Sequence, residues 1–435
     1  MVAHVRPFAF DRGVPLVSPT TAVRKYLRRA KAPAAAVHGN HNVRLLQGAQ
    51  ELFPALVQAM DKAVSDIQLE TYIFDFTGAG AEVAQALLRA AERGVRTHLV
   101  VDGVGTGPLP KAWAERFTQA GVQFKVYSPL GPLGLLLPHR WRRLHRKLCV
   151  VDGRVLFCGG INILDDLHDP IYGTLDAPRF DFSVQATGTL VGTACTAMEQ
   201  LWWRMQALGR MRQHQLPQAL QALRAARASR MAAHPAPGHG GMSAALLLRD
   251  NVRNRSRIEK AYLRAIGLAR QEIIIANAYF LPGGKLRRAL ILAARRGVTV
   301  RLLLQGKYEY FMQYHASRPI YSALLAAGVE IYEYEPSFLH AKVAVVDALG
   351  EQPWATVGSS NLDPLSLLLA REANVVVEDA SFATDLRQRL MHAMRHSGRR
   401  ILPGAETHRH WHQRVLDRVA YAMMRTALWL TGKRY

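Results

Sequence analysis

The chain is poor in cysteine, in acid and in long apolar runs. Its 435 residues include only three cysteines, Cys149, Cys158 and Cys195. An odd, scattered set without a C-x-x-C pair excludes a disulfide framework and a cysteine-based zinc site. Cys149 and Cys158 fall in apolar runs, so small, buried, reduced thiols are expected. The longest uncharged stretch near spanning length, residues 182–198, is rich in Ser, Thr, Gln and Gly, and is rejected as a transmembrane helix. The first forty residues mix Arg, His, Pro and Ala without a continuous apolar core, so no secretory signal is expected. Acid is scarce: 33 Asp+Glu face 56 Lys+Arg, a net charge of +23. That excess predicts an anionic partner, nucleic acid or acidic lipid headgroups, and composition alone does not choose between them. A hydrophobic content of 49% is enough for a large core and two domain-sized units, which excludes low-complexity classes for the bulk of the chain.

What is present is a repeat. Residues 67–74 (IQLETYIF) read as a strand, and residues 274–281 (IIANAYFL) are their counterpart. AAERGV at 90–95 corresponds to AARRGV at 293–298, each a helix closing on a glycine before a strand at 97–101 or 300–304. AGVQF at 120–124 then corresponds to AGVEI at 327–331. Strand and helix alternate in the same order twice, which predicts an α/β fold: two similar α/β sandwich repeats related by a pseudo-twofold axis. The expected organisation is an N-terminal extension (1–41), a first repeat (42–204), an inter-repeat connection (205–242), a second repeat (243–400) and a C-terminal helix (401–435).

Near the end of each copy stands one chemical pattern. His145 and Lys147 are followed by Asp152 and by Gly159-Gly160-Ile161-Asn162; His340 and Lys342 are followed by Asp347 and by Gly358-Ser359-Ser360-Asn361. The shared form is H-x-K-x4-D, then G-[GS]-x-N. Three fixed residues arise by chance about once in ten thousand starting points, so two occurrences at equivalent places of a repeat are a strong signal. On a strand, residues two apart share a face, so each copy presents an imidazole beside an ammonium. Two such strands facing one cavity suit a phosphodiester. The lysines neutralise the non-bridging oxygens, one imidazole attacks phosphorus, and the other moves the proton of the leaving and incoming alcohols. No metal and no cofactor are required, because the lysines supply the positive charge. Asn162, Asn361 and Ser359 are candidate substrate donors, and Tyr72 and Tyr279 candidate pocket walls. Asp181, after Arg179, is expected to orient His145; Glu372, after Arg371, is expected to orient His340. Asp152 and Asp347 sit at strand ends before turns, where a structural role is at least as expected as contact with substrate.

With these residues in hand, the chain resembles the phospholipase D superfamily from about Asn42 to about Asp379. The flanking segments at 145–147, 159–162 and 278–282 are similar to bacterial cardiolipin synthases, and the length and missing N-terminal spans look most like their B type. The resemblance implies transfer of a phosphatidyl group from phosphatidylglycerol, through a phosphohistidine, to a second phosphatidylglycerol, releasing glycerol. It implies His145 as nucleophile and His340 as acid/base, with Lys147, Asp152, Lys342 and Asp347 completing the catalytic motifs. A location on the cytoplasmic side of the bacterial inner membrane, with an anionic phospholipid surface as partner, follows from the same resemblance, and no nucleic acid is expected. Hydrolysis of lipid or nucleic acid at the same site, and a non-enzymatic basic nucleic-acid-binding protein, are the alternatives.

Two segments are candidates for lipid contact. Gly121 to His145 spans 24 positions against 12 from Gly328 to His340; the insertion, within 129–144, carries an apolar Gly/Pro/Leu run and then Arg140, Trp141, Arg142 and Arg143. At the C-terminus Trp411, Val415, Val419, Met423, Ala427 and Leu430 recur at helical spacing among arginines. For both, docking against the protein's own body is the competing expectation.

Overall fold

The computed structural model describes residues 37–131, 138–169, 172–231, 241–250, 254–307, 311–363, 370–404 and 411–430. The apolar run of the insertion and most of the N-terminal extension lie outside the described residues. In the first copy the order is β1 (His38–Gln47), α1 (Gly48–Asp61), β2 (Asp66–Thr71), α2 (Gly78–Glu92), β3 (Arg96–Asp102), α3 (Lys111–Ala120), β4 (Gln123–Tyr127), β5 (Arg143–Leu144), β6 (Lys147–Val151), β7 (Val155–Gly159), the small pair β8 (His168–Asp169) and β9 (Gly173–Thr174), β10 (Phe182–Thr187), and the helices α4 (Leu190–Arg212) and α5 (Leu216–Met231). The second copy runs β11 (Met242–Arg249), α6 (Arg257–Leu268), β12 (Glu272–Asn277), α7 (Gly284–Arg295), β13 (Thr299–Gln305), α8 (Phe311–Leu325), β14 (Glu330–Tyr334), β15 (Lys342–Val346), β16 (Trp354–Gly358), β17 (Ala370–Glu378), α9 (Ala380–Ser397) and β18 (Gly398–Ile401), before α10 (Trp411–Leu430).

One sixteen-stranded sheet carries both copies, and its order β14-β13-β12-β15-β16-β17-β11 is mirrored by β1-β10-β7-β6-β2-β3-β4. The copies join where β1 pairs antiparallel with β11. β2, β3 and β4 are parallel, as are β12, β13 and β14, while β6 and β15 run back against β2 and β12. The C-terminal ends of the parallel strands therefore meet the N-terminal ends of β6 and β15, which carry Lys147 and Lys342. Alternation sorts the side chains. Leu148 and Val150 enter a central core with Val343, Val345 and the apolar faces of α4 and α9. Cys149 and Val151 enter the outer core of the first copy, and Ala344 and Val346 that of the second. β6 and β15 are buried throughout, each large aliphatic side chain contributing about 1.5–3 kcal/mol. Two fully packed strands thus bring the lysines of the two motifs to one end of the sheet.

The copies also cross-link at that end. β5 pairs with the start of β17, Ala370 opposite Arg143, and Phe180 bridges to Leu339. The His145 N–H donates to the Arg371 carbonyl at 3.1 Å, and the His340 N–H to the Phe180 carbonyl at 2.9 Å. The predicted strands at 67–74 and 274–281 end early, at Thr71 and Asn277, leaving Tyr72 and Tyr279 on the loops beyond.

The C-terminal helix is held by an unexpected face. Asp417 and Ala420 are buried, and Asp417 pairs with His315 of α8 at 2.6 Å. Val415, Val419 and Met423, members of the apolar stripe read from the sequence, are exposed.

Candidate active site

Each motif histidine follows a residue whose N–H is anchored by the end of a parallel strand. Asp102, last in β3, accepts from Leu144 N at 2.7 Å and from Arg143 Nη1 at 3.1 Å. Gln305, last in β13, accepts from Leu339 N at 3.0 Å. These equivalent anchors were missed in the sequence. The available signal was a polar residue closing the apolar runs HLVVD and RLLLQ at matching places of the repeat. A second missed group is the buried pair of Arg146 with Glu70, 2.5 Å from Nε to Oε2, which pins the backbone between His145 and Lys147 from the opposite face.

The orienting carboxylates are exchanged relative to expectation. His145 Nδ1 bonds to Glu372 at 2.9 Å, and His340 Nδ1 to Asp181 at 2.6 Å. Each acid thus serves the histidine of the other copy. The cause is the backbone crossing: His145 is tied to Arg371, next to Glu372, and His340 to Phe180, next to Asp181. Lys147 Nζ donates to the His145 carbonyl at 2.9 Å, and Lys342 Nζ donates to that of His340. Each ammonium is thereby folded against its own histidine. Tyr72 lies 5.0 Å from the His145 ring, centroid to centroid, and 5.5 Å from Lys147 Nζ. Tyr279 is half-buried and packs on the central core.

Burial drives the titration of this cluster. It pushes His145 below its ordinary value against the pull of Glu372, and pushes His340 well below its own, with Lys342 and Lys147 adding to the effect. Lys147 falls to about 7 through burial and then the charge of Lys342. The two carboxylates part company. Burial raises Asp181 to about 7 despite Lys342 and Lys147. Burial also pushes Glu372 up, but His145, their hydrogen bond, Lys147 and the Ser359 hydroxyl outweigh it and hold Glu372 low. Glu372 is therefore a carboxylate, an acceptor only, and His145 must donate from Nδ1. Its Nε2 keeps a free lone pair. Asp181, raised to about 7 and 2.6 Å from His340 Nδ1, can donate to that nitrogen when protonated, and the ring hydrogen of His340 then sits on Nε2.

One expected contact is corrected, and two motif residues take the structural role their place at strand ends suggested. Ser359 does not face substrate: its hydroxyl donates to Glu372 at 2.5 Å and accepts from Ala373 N at 3.1 Å, so it positions the carboxylate. Gly160 is its equivalent in the first copy. A side chain there would fall 2.3 Å from Asp181 Oδ1, which explains the missing serine. Asp152 and Asp347 are not at the reacting end. They close the opposite ends of β6 and β15 in left-handed backbone conformations, at φ 51° and 47°. Asp152 accepts from the N–H groups of Val64, Ser65 and Asp66, and Asp347 from those of Arg270, Gln271 and Glu272, each within 3.0 Å. The two asparagines differ. Asn162 Oδ1 accepts from Ile73 N at 3.2 Å, whereas Asn361 Oδ1 is buried without a partner among the described residues.

A cavity of about 1030 Å³, lined in part by Leu247, Arg264, Asp347 and Trp354, includes neither histidine and lies at the far end of the second copy's strands. Among the described residues no three His, Cys, Asp or Glu side chains gather as a metal-ligand set.

Residues 56–166 and 262–394 match the family described as "Cardiolipin synthase, PLD-like domain". Cardiolipin synthase B of Salmonella typhi is 37% identical over 359 residues, covering 80% of this chain and 79% of that protein. Cardiolipin synthase B of Escherichia coli (strain K12) is 36% identical over the same length and shares. In fold, the crystal structure of phosphatidylserine synthase from Haemophilus influenzae Rd KW20 superimposes with a TM-score of 0.63 at 12% identity, covering 94% of this chain and 99% of that one. The chain belongs to the cardiolipin synthase family of phospholipase D-like phosphatidyltransferases.

Proposed function

We propose that this site converts two phosphatidylglycerol molecules into cardiolipin and glycerol, with His145 as nucleophile and His340 as acid and base. The observation that carries the division of labour is the difference in donors: Glu372 accepts from the Ser359 hydroxyl as well as from His145 and is held low, whereas Asp181 faces Gly160 in place of that serine and is raised to about 7 by burial. His145 Nε2 attacks phosphorus, the bond to the headgroup glycerol oxygen breaks, and His340 Nε2–H protonates that oxygen, so glycerol leaves. The glycerol hydroxyl of a second phosphatidylglycerol then gives its proton to His340 Nε2 and attacks phosphorus. The N–P bond breaks, and cardiolipin is released. Lys147 and Lys342 stabilise the charge of the five-coordinate phosphorus, and Asn361 is the candidate contact for a headgroup hydroxyl.

The protein is read as a peripheral one on the cytoplasmic face of the bacterial inner membrane, with an anionic phospholipid surface as partner. The net charge of +23 and the exposed apolar residues of α10 support this reading. No described helix is long and apolar enough to cross a membrane.

Purified protein with phosphatidylglycerol vesicles tests the reaction. Cardiolipin and glycerol in equal amounts are expected. Phosphatidic acid as the main product would assign hydrolysis instead, and no turnover would refute the enzyme. The pH profile adds a second test. Lys147 loses its proton as pH rises through about 7, and Asp181 loses its own in the same range. His145 stays neutral below its ordinary 6.5, because burial lowers it. With a short-chain, monomeric phosphatidylglycerol, kcat/KM should therefore be level near pH 6.5 and fall above about pH 7. A kcat/KM still rising at pH 8 would contradict this assignment of protons.

A further inference from the structure

Large apolar side chains are exposed on an element that the catalytic account does not use. α4 and α5 form a helical hairpin, and Leu208, Met211, Leu216, Leu220 and Leu223 are all exposed on it, Leu216 by 62%. Their spacing, i and i+3 on α4 and i, i+4 and i+7 on α5, gathers them as stripes. The surrounding charge has one sign: residues 201–231 contain no Asp or Glu, while Arg210, Arg212, Arg224 and Arg227 flank the stripes.

The hairpin also stands at the catalytic end. In the second copy the equivalent helix, α9, stops at Ser397, whose carbonyl accepts from Glu335 N beside the end of β14, and the chain turns directly into β18. Leu201 and Trp202 of α4 pack with Val100, Tyr127 and with Leu144, the neighbour of His145, and the Trp202 ring stacks on His98 of β3 at 4.0 Å. α4 runs 23 residues to Arg212 against 18 in α9, five more, or about 7.5 Å at 1.5 Å per residue. The tip thus projects beyond the strand ends that carry the histidines. The loops leaving the same end expose Val104, Trp141, Leu167 and Tyr172. An apolar stripe set among arginines is complementary to an anionic bilayer: leucines enter the acyl boundary and guanidiniums meet phosphates.

We propose that the tip of the α4–α5 hairpin docks the protein on an anionic phospholipid bilayer and holds the catalytic end of the sheet against that surface. The proposal rests on the lipid reading of the site and names the element that presents the site to its substrate.

The test compares the wild type, Leu208→Glu/Leu216→Glu/Leu220→Glu, and Arg210→Ala/Arg212→Ala. Co-sedimentation uses phosphatidylglycerol or phosphatidylcholine vesicles, and turnover is followed on vesicles and on monomeric short-chain phosphatidylglycerol. The wild type should prefer phosphatidylglycerol vesicles. The glutamate variant should lose at least about tenfold in vesicle binding and vesicle turnover, with monomer turnover unchanged. The arginine variant, which leaves the leucines in place, should bind about fivefold more weakly per arginine removed, an effect that shrinks at high salt. Wild-type vesicle binding by both variants would overturn the proposal. So would a wild-type dimer that the glutamate variant splits without change in vesicle binding, since the stripe would then belong to a second copy. Hairpin-dependent binding by a wild type that turns over no phosphatidylglycerol would uphold the docking and overturn the substrate assignment instead.

Discussion

His145→Ala should lower phosphatidyl transfer by at least about 10⁴-fold, because it removes the only route to a covalent intermediate. No neighbouring group replaces it. The other imidazole, His340, is committed to Asp181, and the lysines are folded against histidine carbonyls. His340→Ala should behave differently. Its task is to move a proton, worth about 10²–10⁴-fold, and the need for that proton depends on the leaving group. A phosphatidyl ester of 4-nitrophenol leaves as a stable anion. With it, His340→Ala should retain a rapid first step while the second step stays slow, whereas His145→Ala should be inactive on both substrates. Steady-state and burst kinetics on the two substrates separate these cases. Equal losses for both variants on both substrates would remove the distinction between the histidines.

The carboxylates should give the second large effect, and an unequal one. Glu372 is an acceptor that fixes hydrogen on His145 Nδ1. In Glu372→Gln the amide can donate to Nδ1 instead, which moves the ring hydrogen to Nε2 and removes the attacking lone pair. A tautomer error of this kind costs about 10⁴-fold in a serine protease triad, and a loss of that order is expected here with the fold intact. In Asp181→Asn the amide can likewise donate to His340 Nδ1, but that leaves hydrogen on Nε2, where the acid requires it. The loss should be smaller by at least about tenfold. The comparison needs kcat on monomeric substrate and thermal melts to confirm equal folding. An Asp181→Asn loss equal to or larger than that of Glu372→Gln would reverse the roles of the two histidines.

Much of this was legible in the sequence because it is local. The repeat, the alternation that puts His145 and Lys147 on one face, and the glycine closing each helix depend on residues a few positions apart. The exchange of carboxylates was not legible. Asp181 lies 159 positions before His340, and Glu372 lies 227 after His145. Nothing in either segment says that β5 pairs with β17 across the axis. Proximity in sequence favoured the wrong partner in both cases. Ser359 was misread for a related reason. A hydroxyl in a motif suggests substrate, yet its partner is a carboxylate brought in by β17. The C-terminal helix shows the limit of pattern, which does not say which face docks: Asp417 is buried against His315, while Val415, Val419 and Met423 of the stripe are exposed.

Trapping the intermediate tests the two-histidine arrangement most directly. His340→Ala, mixed with the 4-nitrophenyl phosphatidyl ester and quenched in base to preserve phosphoramidate, is digested and mapped by mass spectrometry. Near-stoichiometric phosphatidyl mass on the peptide that carries His145, absent when His145 is also replaced, is the expected result. Label on any other residue, or release of nitrophenol with no label at all, would contradict a phosphohistidine held between the two copies.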